Sequence, residues 1–187
     1  MHFQLSDVVL RAIEKARPVW ARIDAVRLQN QYRVLQAFQK NHISDYHLFG
    51  STGYGYNDPS REALSRVFAD AFGAETALVK PQLVSGTHAI SACLFGNLRP
   101  GDHLLSISGP PYETLQRIIK GPGRRSLKGW AIDYSEVNLT PSGGIDIDAA
   151  VAALRPETRM VLIQRSCGYT IRRALTIAEI AEAVDAI

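Results

Sequence analysis

Ala77-Leu78-Val79-Lys80-Pro81-Gln82-Leu83-Val84-Ser85-Gly86-Thr87-His88-Ala89-Ile90-Ser91-Ala92-Cys93-Leu94 changes character at its centre. The first half, Ala77 to Val84, is short, apolar and β-prone, and predicts a strand. The second, His88 to Leu98, has the composition of a helix. Between them stands Ser85-Gly86-Thr87, so the run predicts a strand passing through a tight turn into a helix. That layout suits an anion. A helix start leaves unpaired amides and a partial positive charge, glycine lets the backbone approach a ligand, and the two hydroxyls can donate to phosphate-like oxygens. Ser-Gly-Thr before a helix is also an ordinary N-cap, and the residues alone leave both readings open. The run lacks the Gly-Lys-Ser/Thr ending of a nucleotide P-loop, the Gly-x-Gly-x-x-Gly of a dinucleotide fold and the Gly-x-Ser-x-Gly of a hydrolase elbow. His88, three residues after Ser85, fits a packed or flanking histidine better than a general base.

Downstream, strands and helices alternate. Strands are expected over His103–Ile107, Trp130–Val137 and Met160–Gln164, and helices over Tyr112–Lys120, Asp146–Leu154 and from Thr176 onward. Polar residues interrupt Trp130–Val137, which suits an edge strand. Upstream, Leu5, Val8, Val9, Ala12, Ile13 and Ala16 recur at helical spacing behind Ser6 and Asp7, and Pro18 sits where a second helix can begin and run to Lys40. Ser44 to Ser60 reads as a loop of Gly, Tyr, Asn, Asp and Pro, and Arg61–Phe72 as a helix stopped by Gly73. The fold class is therefore α/β: amino-terminal helices, then the first half of a mixed, mainly parallel sheet flanked by helices. Residues 1–45 are expected to be a helical segment and 46–187 the first part of a large domain.

The 187 residues are 46% hydrophobic and 21% charged, enough for a packed core and too apolar for disorder. A formal charge of +3 is too small an excess to argue for nucleic acid, and Lys120, Arg124, Arg125 and Lys128 read as a solvated basic loop. Cys93 and Cys167 lie far apart without metal-ligand spacing, which suits a reducing cytoplasm. No apolar run reaches membrane-spanning length, and the charges of the first residues argue against a signal peptide. The last helix carries no glycine, cationic turn or proline after Ile187, so a chain cut within a helix is expected.

Several motifs occur together in order. They are Ser51-Thr52-Gly53-Tyr54-Gly55-Tyr56-Asn57-Asp58, Pro81 to Ile90, Leu98-Arg99-Pro100-Gly101-Asp102, Pro111-Tyr112-Glu113-Thr114-Leu115, Gln164-Arg165-Ser166 and Leu175 to Ile180. Jointly they resemble the aluminium-resistance or methionine gamma-lyase-like proteins, pyridoxal-phosphate enzymes of the aspartate-aminotransferase fold. The likeness covers nearly the whole chain. It implies pyridoxal 5'-phosphate as cofactor, an amino-acid substrate, elimination across a carbon–sulfur bond, and a homodimer or homotetramer with shared sites in the full-length form. It implies that Ser85, Gly86 and Thr87 hold the cofactor phosphate and that Tyr112 lies against the pyridine ring. Tyr54 and Tyr56 would reach the phosphate of a neighbouring subunit.

Three departures accompany the resemblance. Tyr56 stands where the broader gamma-lyase group carries an arginine, and Cys167 where the family usually carries a basic residue. Asn57 to Glu62 replaces a version richer in glycine. Fold-type-I enzymes also use a Schiff-base lysine and an aspartate under the pyridine nitrogen. None of Lys15, Lys40, Lys80, Lys120 and Lys128 sits in such a context, so both groups are expected beyond Ile187 and no catalytic residue is assigned here. The alternative is a non-catalytic phosphate- or anion-binding or interaction protein on the same scaffold.

Overall fold

Ser6 stands in extended conformation before α1 (Asp7–Lys40), a helix of 34 residues. The expectation of two helices meeting at Pro18 is corrected: Pro18 lies inside one continuous helix. Proline removes one amide donor, the partner of the Glu14 carbonyl, but its fixed φ is itself helical. One lost bond does not outweigh propagation on both sides, which adds a hydrogen bond for each residue fixed. The computed structural model describes residues 6–50, 54, 56 and 58–187, so Leu5 lies outside the described residues. The chain divides into two compact units, residues 1–82 and 83–187.

In the first unit a 3₁₀ turn (Asp45–Leu48) and α2 (Pro59–Phe72) follow α1. Pro59 takes the first helical turn, where its missing donor has no intrahelical partner to lose, and Gly73 at φ 67 ends the helix. Ala37 on α1 and Ala63, Val67 and Ala69 on α2 are its buried apolar residues. Small side chains let the helices approach, and Asp70 fastens them, pairing with Lys40 and accepting from Asn41 Nδ2 at 2.7 Å. The Lys40 and Asn41 bonds hold the Asp70 carboxyl below its ordinary range. The strand expected over Ala77–Val84 is absent: the backbone is irregular and turns at Pro81–Gln82. Composition there favours a strand, but a strand exists only against a partner, and no described segment pairs with it. Leu78 and Val84 are accordingly exposed.

The second unit is built as a sheet between helices. In chain order it contains α3 (Gly86–Asn97), β1 (His103–Ser106), α4 (Glu113–Lys120), β2 (Asp133–Glu136), α5 (Ile147–Ala152), β3 (Thr158–Leu162) and α6 (Ile177–Ala186). The strands are all parallel in the order β2-β1-β3. β2 is an edge, as its polar residues suggest, and is shorter than expected because Lys128–Trp130 forms a 3₁₀ turn before it. All four residues of β1 are buried. Consecutive strand side chains face opposite ways. Leu104 thus joins Leu94, Leu98, Leu115, Ile119, Leu127 and Ile132 in one cluster, while Leu105 and Ile107 join Ala150 and Ala183 in another. Each fully buried leucine contributes about 1.5–3 kcal/mol relative to exposure.

Among the buried polar groups, His103 links the strands. Its Nδ1 lies 2.8 Å from Thr158 Oγ1 on β3, and its Nε2 lies 2.8 Å from Ser135 Oγ on β2. Burial, with Arg155 adding a cation, pushes the imidazole pKa down, while Asp133 and Glu157 oppose the shift.

Candidate functional site

The carboxyl ends of parallel strands carry the ligand crevice in open α/β sheets, and this sheet has a cavity there. Tyr112, Asn138, Gln164, Cys167, Tyr169 and Arg172 are among the residues that line about 500 Å³. They come from the three segments that follow β1, β2 and β3.

After β1 the chain turns at Gly109, whose φ of 78 favours glycine and whose amide donates to the Val137 carbonyl at 2.9 Å. Pro110 and Pro111 then bring it to Tyr112, the residue that precedes α4. Tyr112 is held at both ends. Its backbone N–H donates to Gln164 Oε1 at 2.8 Å, and its phenol oxygen lies 3.1 Å from Thr87 Oγ1. The ring packs beside the Leu94–Leu115 cluster.

Thr87 reaches Tyr112 from the start of α3. Ser85 is the N-cap, its Oγ accepting from the His88 amide at 3.1 Å. The hydroxyl proton of Ser85 therefore remains available as a donor. Among the described residues the amides of Gly86 and Thr87 meet no acceptor, and a Cβ built on Gly86 touches nothing within 4 Å. Two amides and the Ser85 hydroxyl proton are thus unengaged at the start of a helix of 12 residues, beside the Thr87 hydroxyl that meets Tyr112. His88 is exposed and Ser85 Oγ engages its backbone, not its ring, so no serine–histidine pair forms.

Tyr54 and Tyr56 belong to the first unit and are 82% and 84% exposed. The other members of that motif, Ser51, Thr52, Gly53, Gly55 and Asn57, lie outside the described residues. Asp58 accepts from Arg61 Nε at 2.9 Å at the start of α2.

Two contributors to the cavity have no role that local sequence signals. Gln164 follows β3, and its side chain spans to Tyr112; Arg172 donates through Nη2 to the carbonyls of Gln164 at 3.1 Å and Ser166 at 2.7 Å. In the sequence Gln164 stands out only within Gln164-Arg165-Ser166. Cys167 lines the cavity together with Glu113 and Arg172, with neither histidine nor lysine among the described lining residues. Lys120 and Lys128 line a separate recess. There Lys120 donates to Glu136 at 2.9 Å and lies over the Tyr134 ring at 4.8 Å. Burial works to raise the Glu136 pKa, but the bonds from Lys120 and Tyr134 outweigh it and hold the carboxyl low. Burial and the Glu136 bond push the Tyr134 phenol up. No group of histidine, cysteine or carboxylates suited to a metal occurs among the described residues, and no described helix is long and apolar enough to cross a membrane.

Against known proteins, the family model described as methionine gamma-lyase matches residues 5–187. A protein of Bacillus subtilis (strain 168), the uncharacterized YnbB, is 49% identical over 166 residues, which is 87% of this chain and 39% of that protein. A solved protein of Listeria innocua, named for a proposed cystathionine beta-lyase activity and a part in aluminum resistance, superimposes with a TM-score of 0.91 at 45% identity. That superposition covers 98% of this chain and 46% of the other. A carbon-sulfur lyase involved in aluminum resistance from Clostridium novyi NT gives a TM-score of 0.90 at 40% identity, over 97% of this chain and 45% of its own. The chain therefore spans less than half the length of these relatives.

Proposed function

Because this chain belongs to the methionine gamma-lyase family, we propose that it forms the phosphate-anchoring part of a pyridoxal-phosphate carbon–sulfur lyase acting on an amino acid. The observation that carries this reading is the convergence of the α3 start on Tyr112, with Thr87 Oγ1 and the phenol oxygen 3.1 Å apart. When bound, pyridoxal phosphate supplies an electron sink for elimination at the amino acid. The roles of the chain itself are simpler. Gly86 and Thr87 donate their amides to the phosphate, and Ser85 and Thr87 donate hydroxyls. Tyr112 offers its ring face to the pyridine and limits its tilt. Tyr54 and Tyr56 extend from the first unit toward a neighbouring subunit's phosphate in a homodimer or homotetramer.

No lysine lines the Tyr112 cavity. Catalysis accordingly needs a lysine and an aspartate that these residues do not supply, and the 187-residue chain alone should release neither pyruvate nor ammonia from sulfur amino acids. The same observation favours a second reading, a scaffold that binds phosphate without chemistry.

The test is titration of the chain with pyridoxal phosphate, followed by absorbance, for the natural sequence and for Thr87→Val. A lost hydrogen bond to a charged group is worth about 1.5–3 kcal/mol, so affinity should fall at least tenfold. Equal affinity in the two proteins would remove Thr87 from the site. Binding of pyridoxal phosphate no tighter than that of inorganic phosphate would favour the scaffold, because Tyr112 would then add nothing to the phosphate contacts.

A further inference from the structure

We infer that Gln164 is a positioning residue that sets the placement of Tyr112, and through it the ring face offered to a ligand. The geometry of the side chain argues this. Pro110 and Pro111 have no N–H, so Tyr112 carries the first amide donor after Gly109, and Gln164 Oε1 accepts it at 2.8 Å. Tyr112 precedes α4 without a side-chain cap of its own. Its backbone is anchored instead from a residue 52 positions away.

Gln164 is well fixed for the task. Its own amide donates to Ser108 Oγ at 2.7 Å, and its carbonyl accepts from Arg172 Nη2 at 3.1 Å. Its Nε2 donates to the Ser166 carbonyl at 3.1 Å. All four polar groups are engaged. The orientation of the side-chain amide is determined as well: turned over, it would face a donor with a donor and a carbonyl with a carbonyl. One residue at the end of β3 therefore joins the segment after β1 to the Ser166–Arg172 segment, with Tyr112 as the supported group. Thr87 meets only the far end of the phenol and the Leu94–Leu115 cluster only the ring, so Gln164 holds the backbone amide that neither of them reaches.

The inference uses the cofactor reading of Tyr112 for its functional consequence only, and the experiment separates the two. Amide hydrogen exchange would be followed by NMR in the 187-residue chain and in the variants Gln164→Met and Gln164→Glu, with pyridoxal phosphate affinity measured on the same samples. Gln164→Met removes the acceptor, so the Tyr112 amide should exchange about fivefold faster or more, as expected for one neutral hydrogen bond. The Ile107 amide, bonded to the Leu162 carbonyl at 3.1 Å, reports whether the sheet is intact and should not change. Gln164→Glu retains an acceptor toward Tyr112 but turns an oxygen in place of the donor toward the Ser166 carbonyl, so the Ser166 contact is lost while Tyr112 protection should stay within twofold of the natural chain. Affinity for pyridoxal phosphate should fall with Gln164→Met; for Gln164→Glu the exchange rates alone are read, because the added negative charge itself repels the cofactor phosphate. Unchanged Tyr112 exchange in Gln164→Met, or equal acceleration in both variants, would overturn the inference. If Gln164→Met does not fold, seen as loss of Ile107 protection, Gln164→Glu decides: accelerated Tyr112 exchange with Ile107 protected refutes the role, and retained protection supports it. If none of the proteins binds pyridoxal phosphate, the cofactor reading fails and the Tyr112 exchange rates still decide this one.

Discussion

Helix α1 places Val19, Trp20, Ile23, Val26, Leu28 and Leu35 at 45–58% exposure and buries only Ala37, whereas the four-residue strand β1 buries every side chain it has. Both segments are rich in apolar residues. What separates them is enclosure: β1 has a strand on each side and a helix-borne cluster over each face, and α1 has α2 against one stretch near its end. Apolar composition yields stability only where other elements remove it from water. The second unit should therefore be sensitive to its interior, and the first insensitive over most of its length.

The largest effect expected from that contrast is at Leu105. Leu105→Ala should cost about 2–5 kcal/mol in denaturant unfolding, because a fully buried leucine leaves a cavity. Ile23→Ala, on a side chain 58% exposed, should stay within about 0.5 kcal/mol. Comparable losses at the two sites would mean that α1 is covered in solution. At the border of the second unit, Thr176 caps α6, its Oγ1 accepting from the Glu179 amide at 3.2 Å while Glu179 Oε2 accepts from the Thr176 amide at 2.8 Å. Thr176→Ala should lower stability by about 1 kcal/mol, read from the unfolding midpoint.

A subtler test uses pH. The folded-state pKa of His103 lies below its ordinary 6.5, so the unfolded chain holds this proton more tightly. The contribution is fully present above pH about 6.5 and is lost as pH falls through that value toward the folded pKa. His103→Gln should flatten the stability profile in that interval. A profile of the same slope in both proteins would assign the pH dependence to other groups.

Local signals made part of this legible in advance. Gly73 as a helix stop and Ser85 as an N-cap depend on neighbours a few residues away, and they hold. Expectations that depended on distant partners fared differently. Ala77–Val84 has the residues of a strand and lacks a described partner. The site divides the same way. Ser85, Gly86 and Thr87 at a helix start could be read from spacing, whereas the Thr87–Tyr112 and Gln164–Tyr112 bonds join residues 25 and 52 positions apart, and nothing in local composition announces them.

The two hydroxyls on the His103 ring belong to residues 32 and 55 positions further along. A chain emerging in order from its amino end thus carries β1 for some time before either flanking strand exists to receive it. Helices form within about a microsecond, while parallel pairings wait for long loops to close. In time as well as in space, His103 is where the second unit is completed: its ring loses water only when the last strand docks, and until then the most deeply buried strand of the sheet has an open edge.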